Sequence, residues 1–153
     1  MKTALLTALV AVATMLIKIP SFKGYVNAGD GFVLLCGYLL GPYYGCFAAG
    51  LGSALADFLS GYAVYVPVTF VIKGLMALIA CGVQSRLQNN AGRIIGGVFA
   101  ELLMVAGYYV FDSCLYGFLP SAAGIFPNIL QGVAGIILSI ILMQIFEKRS
   151  IKM

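Results

Sequence analysis

Histidine and tryptophan are absent from the 153 residues, and Asp, Glu, Lys and Arg together supply only 9% of them. The missing histidine removes the commonest metal ligand, the commonest general base and every Ser-His or Cys-His nucleophile arrangement. The shortage of charge excludes an ordinary soluble domain, in which roughly a quarter of the residues are charged. Cysteine is sparse as well. Cys36, Cys46, Cys81 and Cys114 stand singly, with no Cys-x-x-Cys pair, so they read as small packing residues rather than a disulfide framework. The net charge of +4 comes from scattered basic residues, which is not the patch that nucleic acid requires.

What fills the chain instead is apolar: 62% of the residues are hydrophobic and the mean hydropathy is +1.05. A spanning helix uses about 20 residues, so six or seven crossings at most fit, with little left for a soluble domain. Six apolar segments are visible, at about 3–19, 29–40, 43–60, 64–83, 93–111 and 125–146. They predict a single all-α transmembrane domain over 1–153. The first resembles a signal peptide in having Lys2 in front and Ala11-Val12-Ala13 inside. Its apolar run continues past that would-be cleavage site, however, and five more segments follow, so it is read as a first helix.

Gly41-Pro42 separates the second and third segments. Gly suits the end of a helix and Pro the first turn of one, so the pair predicts a tight turn between the arms of a helical hairpin. The most polar stretch, QSRLQNNAGR at 84–93, reads as a loop. With a cytoplasmic N-terminus, Lys2, Arg86, Arg93, Lys148, Arg149 and Lys152 fall inside, and only Lys18 and Lys23 outside. The excess of positive charge therefore favours both termini in the cytoplasm.

Small residues recur every four positions at Gly37, Gly41, Gly45, Ala49 and Ser53, at Gly92, Gly96 and Ala100, and at Ala4 and Ala8. Such stripes let helix backbones approach closely in lipid. Most are expected to pack the chain's own bundle, whereas a stripe on the lipid side of the first helix would be a docking surface.

Two ionisable residues, Lys73 and Glu101, fall midway along apolar segments, where a charge costs at least about 2.5–3.5 kcal/mol and calls for a cavity or a partner. They lie on adjacent, oppositely directed helices, so either they form a buried ion pair or they face a substrate cavity. Asp30, Asp57 and Asp112 are expected near the outer ends of helices, among Tyr25, Asn27, Tyr62, Tyr65, Tyr108, Tyr109, Tyr116, Asn128 and Gln131. Tyrosines at that depth commonly form an interfacial belt. Their company of Asp, Asn and Gln also suits a planar polar ligand held by stacking and edge hydrogen bonds. Asp57 and Asp112 form the pair available for an aspartyl dyad, but neither sits in a Gly-x-Gly-Asp context. Nothing reads as a ring of charge or a carbonyl filter.

Four elements between Tyr25 and Ala80 carry a family resemblance: N-x-G-D at 27–30, L-L-G-P at 39–42, G-x-G-S-A-L-A-D-x-L-S-G-Y at 50–62 and P-x-T-x-x-I-K-G at 67–74. Together they resemble the substrate-binding S components of energy-coupling factor (ECF) vitamin transporters, in the group with riboflavin, hydroxymethylpyrimidine and pyridoxine members. The resemblance implies a six-helix, multi-pass protein of a prokaryotic plasma membrane, without enzymatic activity, cofactor or metal. It implies capture of a small water-soluble vitamin and its delivery inward with a membrane coupling subunit and two cytoplasmic ATPases. Ala4 and Ala8 match the partner-contacting alanines of the first helix, although Val12 breaks the stripe. Lys73, Glu101, Tyr108, Asn128 and Gln131, with Asn27 and Asp57, are the expected substrate contacts. The short second helix favours a single-ring ligand, hydroxymethylpyrimidine or pyridoxine, with riboflavin next. The rivals are a solitary proton-coupled transporter with Glu101 as relay, and a purely structural membrane protein.

Overall fold

The computed structural model describes residues 1–16, 18–21 and 24–150, with side chains undescribed at 18–21, 24–26, 149 and 150. Lys23 and Lys152, both used in the orientation argument, therefore lie outside the described residues.

The chain runs α1 (Lys2–Leu16), β1 (Lys18–Ser21), β2 (Gly24–Asn27), α2 (Gly29–Leu59), α3 (Val66–Arg86), α4 (Asn90–Tyr116), α5 (Phe118–Ser121) and α6 (Ile125–Ser150). Short 3-10 turns precede α3 and α6. Among the described residues, four helical stretches are long and apolar enough to cross a membrane: Gly29–Leu59, Ala63–Arg86, Asn90–Tyr116 and Phe118–Lys148. α1 is apolar but shorter, at 15 residues. It ends at Leu16, short of the expected 19, because Lys18–Ser21 pairs with Gly24–Asn27 as an antiparallel ribbon. Period-two alternation is too brief in either strand to have announced this.

Gly41, at φ 77° and ψ −175°, divides α2 into two helical arms. That conformation is open essentially to glycine alone. Pro42 follows, where a missing N–H is harmless because the first turn of a helix has no internal acceptor for it. The chain then folds back: a Cβ on Gly45 would lie 2.7 Å from the Cys36 carbonyl oxygen. Arm 29–40 runs alongside α3 in the same direction, with Asp30 beside Lys73 and Gly37 against Ala77. Arm 42–59 runs the opposite way, with Cys46 against Gly74 and Gly50 against Phe70. The Gly-Pro hairpin expected at this place is thus the structural fact, and α3 is packed between its two arms.

Small residues make that packing possible. A Cβ on Gly37 would meet the Ala77 carbonyl oxygen at 2.4 Å, and one on Gly52 the Thr7 carbonyl oxygen at 2.6 Å. Backbone contact this close replaces the hydrophobic drive that lipid cannot supply. Around it lies a core that includes Val10, Val33, Leu34, Leu35, Met76 and Met104, all fully buried. α6 closes the bundle by packing on both the first arm of α2 and α4. At the α4 end nearer Asn90, Tyr38 Oη donates to the Arg93 carbonyl at 2.8 Å, and Arg93 pairs with Glu147 of α6.

Candidate functional site

Four elements bring polar and ionisable side chains to one buried point. The first arm of α2 supplies Asp30, α3 supplies Thr69 and Lys73, α4 supplies Glu101, Met104 and Tyr108, and α6 supplies Gln131. Helical spacing explains why each element presents more than one of them. Thr69 and Lys73 are four apart, Glu101, Met104 and Tyr108 recur at three and four, and such residues share a helix face.

Lys73 donates to Asp30 Oδ1 in a buried salt bridge, the two side chains being 5% and 1% exposed. Its ammonium also lies 3.2 Å from Met104 Sδ and 5.6 Å from the centroid of the Tyr108 ring. The second Asp30 oxygen accepts from Gln131 Nε2 at 2.6 Å. Gln131 Oε1 in turn accepts from the Asn27 backbone N–H at 2.9 Å and from Asn27 Nδ2 at 3.4 Å. Asn27 Oδ1 completes the turn by accepting from the Gly29 N–H at 2.8 Å. One polar chain therefore links the end of the ribbon to the middle of the bundle.

A second group adjoins it. Thr69 Oγ1 donates to Asp57 Oδ2 at 2.6 Å, and Tyr108 Oη lies 3.0 Å from the same Thr69 oxygen. A hydroxyl has one proton to give, so with Thr69 committed to Asp57 it is Tyr108 that donates to Thr69. Farther along α4, Tyr65 Oη donates to Asp112 Oδ1 at 2.7 Å, with the Tyr65 ring edge-on to Phe111.

Glu101 stands apart. It is 6% exposed, yet among the described residues neither carboxylate oxygen has a hydrogen-bond partner. Its head occupies a niche against α6. A Cβ on Gly132 would lie 3.1 Å from Oε2, and one on Gly135 would lie 3.1 Å from Oε1 and 2.8 Å from Asp30 Cβ. The two glycines thus hold open the space in which the carboxylate sits.

Of the residues singled out in the sequence, Lys73, Tyr108, Gln131, Asn27 and Asp57 join this connected network, and Glu101 borders it without a bond. Asn128 is half-buried one turn before Gln131 on α6. One expectation changes: Lys73 forms its ion pair with Asp30 rather than with Glu101. Asp30 lies in the first turn of α2, a helix end as expected, and that end packs beside Lys73, about two turns into α3. Thr69 and Met104 were missed. The four-residue step from Thr69 to Lys73 within P-x-T-x-x-I-K-G was the signal available for Thr69. Met104 carried none, since a thioether in an apolar helix reads as packing.

On α1, Ala4, Leu5, Ala8, Val12 and Leu16 are exposed while Leu6, Val10, Ala13 and Thr14 are buried. The alanine stripe thus faces away from the bundle.

Comparison with known proteins agrees with this architecture. A solved S component of a bacterial ECF transporter superposes with a TM-score of 0.78 at 23% identity, over 95% of this chain and 93% of that one, which shows the fold. An uncharacterized protein of Pyrococcus woesei is 42% identical over 143 residues, covering 92% of this chain and 95% of the relative. The thiamine precursor transporter HmpT of Lactococcus lactis subsp. cremoris is 25% identical over 114 residues, 74% of this chain and 64% of that protein. Residues 1–148 match the S component of ECF-type riboflavin transporters. The chain belongs to that family of integral membrane, substrate-binding transport subunits, which are not enzymes.

Proposed function

We propose that this chain captures a single-ring vitamin or vitamin precursor, hydroxymethylpyrimidine or pyridoxine before riboflavin, for ATP-driven uptake by an ECF importer. Its partners are a membrane coupling subunit and two cytoplasmic ATPases, and six crossings leave both termini in the cytoplasm. The observation that carries the proposal is the buried network of Asp30, Lys73, Gln131 and Asn27, with Tyr108 over the lysine and Glu101 unbonded beside it. A bundle that needed only to hold itself together gains little from a buried ion pair, because desolvation offsets most of the Coulombic attraction. Grouped with aromatic and amide side chains, the same charges suit recognition of a small polar ring. The relative named as a thiamine precursor transporter supports a pyrimidine-sized ligand.

Lys73, Glu101, Tyr108, Asn128, Gln131, Asn27 and Asp57 are the proposed substrate-binding set, joined by Asp30 and Thr69. Ala4 and Ala8 are the proposed contacts to the coupling subunit. The test is purification in mild detergent, followed by mass spectrometry of the small molecule released on denaturation. A single-ring vitamin or a flavin at near-stoichiometric amount is the expected result. A chain that comes out empty, binds none of these vitamins and supports uptake without the ATPases is instead a solitary transporter, the reading to which the unbonded Glu101 lends itself.

A further inference from the structure

Among the described residues at the centre of the bundle the charges do not balance. Asp30 and Glu101 flank Gly135 of α6, and one cation, Lys73, serves them. Asp30 takes that cation and the Gln131 amide. Glu101 is left with two oxygens, both buried and both unbonded. A buried acceptor without a donor is disfavoured, and a buried charge without a partner more so. Neither niche glycine can fill the deficit, because a glycine carries no side-chain donor and its helical N–H is already committed within α6.

From this geometry, and resting on the vitamin-binding reading above, we infer that Glu101 selects a ligand with two adjacent N–H donors, namely the amidine edge of an aminopyrimidine. A 4-aminopyrimidine protonated at N3, the ring nitrogen next to its amino group, places a ring N–H and an exocyclic N–H side by side, which matches the two oxygens of one carboxylate in a fork. It also brings the positive charge that the cluster lacks. Pyridoxine offers one ring N–H at that position and makes half of the fork. The dioxo edge of a flavin offers one N–H between two carbonyl groups, so a carbonyl oxygen is set against a carboxylate oxygen. The carboxylate itself fills the space that the glycines at 132 and 135 leave, and Glu101 is 6% exposed, so the ring edge reaches it with a local opening of α6 against α4.

The experiment measures binding by the full-length chain in detergent for four probes: hydroxymethylpyrimidine, its analogue with a ring carbonyl in place of the 4-amino group, pyridoxine and riboflavin. The wild-type chain should bind the aminopyrimidine at least about 100-fold more tightly than the oxo analogue, as sites built around a specific hydrogen-bond pattern do. Glu101→Gln replaces one acceptor with a donor. It should weaken the aminopyrimidine and narrow or reverse the gap to the oxo analogue, while the empty variant melts no lower than wild type because an unpaired charge has been removed. Wild-type binding of riboflavin or the oxo analogue as tight as that of the aminopyrimidine overturns the inference and leaves the vitamin-binding reading intact. Unchanged selectivity in Glu101→Gln does the same. A chain that binds none of the four overturns both.

Discussion

Lys73 and Asp30 show what a single buried charge requires of its neighbours. Removing one member leaves the other unpaired in a low-dielectric interior, at a typical loss of about 3–5 kcal/mol, whereas removing both charges together is often close to neutral. Lys73→Met should therefore lower the thermal midpoint in detergent strongly, and Asp30→Asn combined with Lys73→Met should recover most of the loss. A double variant no better than the single one would show that Lys73 acts through its contacts to Met104 and Tyr108 rather than through the ion pair. At this scale the sequence was legible wherever a residue was expensive. Lys73 and Glu101 stood out because charge is rare in apolar helices, and Gln131 because of the aromatic and polar company around it. Asp30 was visible as an acid at a helix start, but its partner was not: that the first turn of α2 lies beside Lys73 is set by tertiary packing, which no local pattern announces. Thr69, a buried hydroxyl joining Asp57 to Tyr108, is of a type too common in helices to be noticed alone.

Among the elements, the hairpin of α2 was the most legible, since Gly-Pro names both the end of one arm and the start of the next. Its geometry rests on Gly41, whose left-handed conformation has open space around it. Gly41→Ala meets no steric neighbour, so its whole effect is backbone strain of about 1–3 kcal/mol. A urea or thermal titration should show a loss of that size with unchanged ligand selectivity. Gly37→Val should behave differently, because its side chain is driven into the Ala77 carbonyl and pushes the first arm, with Asp30, away from α3. Ligand affinity should fall together with stability. The ribbon was the least legible element: Lys18–Ser21 and Gly24–Asn27 contain Pro, Gly and Lys and read as the tail of one helix and a loop.

For the whole molecule, orientation and association can be tested separately. Gln88→Cys places a thiol in the exposed connection between α3 and α4. In the proposed topology it should react with a membrane-impermeant maleimide only after the cells are permeabilised, and labelling of intact cells would invert the assignment. Ala8→Trp enlarges a residue on the outward face of α1. It should abolish co-purification with the coupling subunit while leaving vitamin binding unchanged, and retention of the complex would move the docking surface elsewhere. The same helix has a consequence for the surrounding lipid. At 15 residues α1 measures about 22 Å, well short of the roughly 30 Å hydrocarbon core. In the proposed six-crossing topology, lipids alongside Ala4 and Ala8 would have to compress or tilt to meet it, and that hydrophobic mismatch would be relieved when a protein surface takes their place. Bilayer elasticity would then draw this face toward the proposed coupling subunit before any side-chain contact forms.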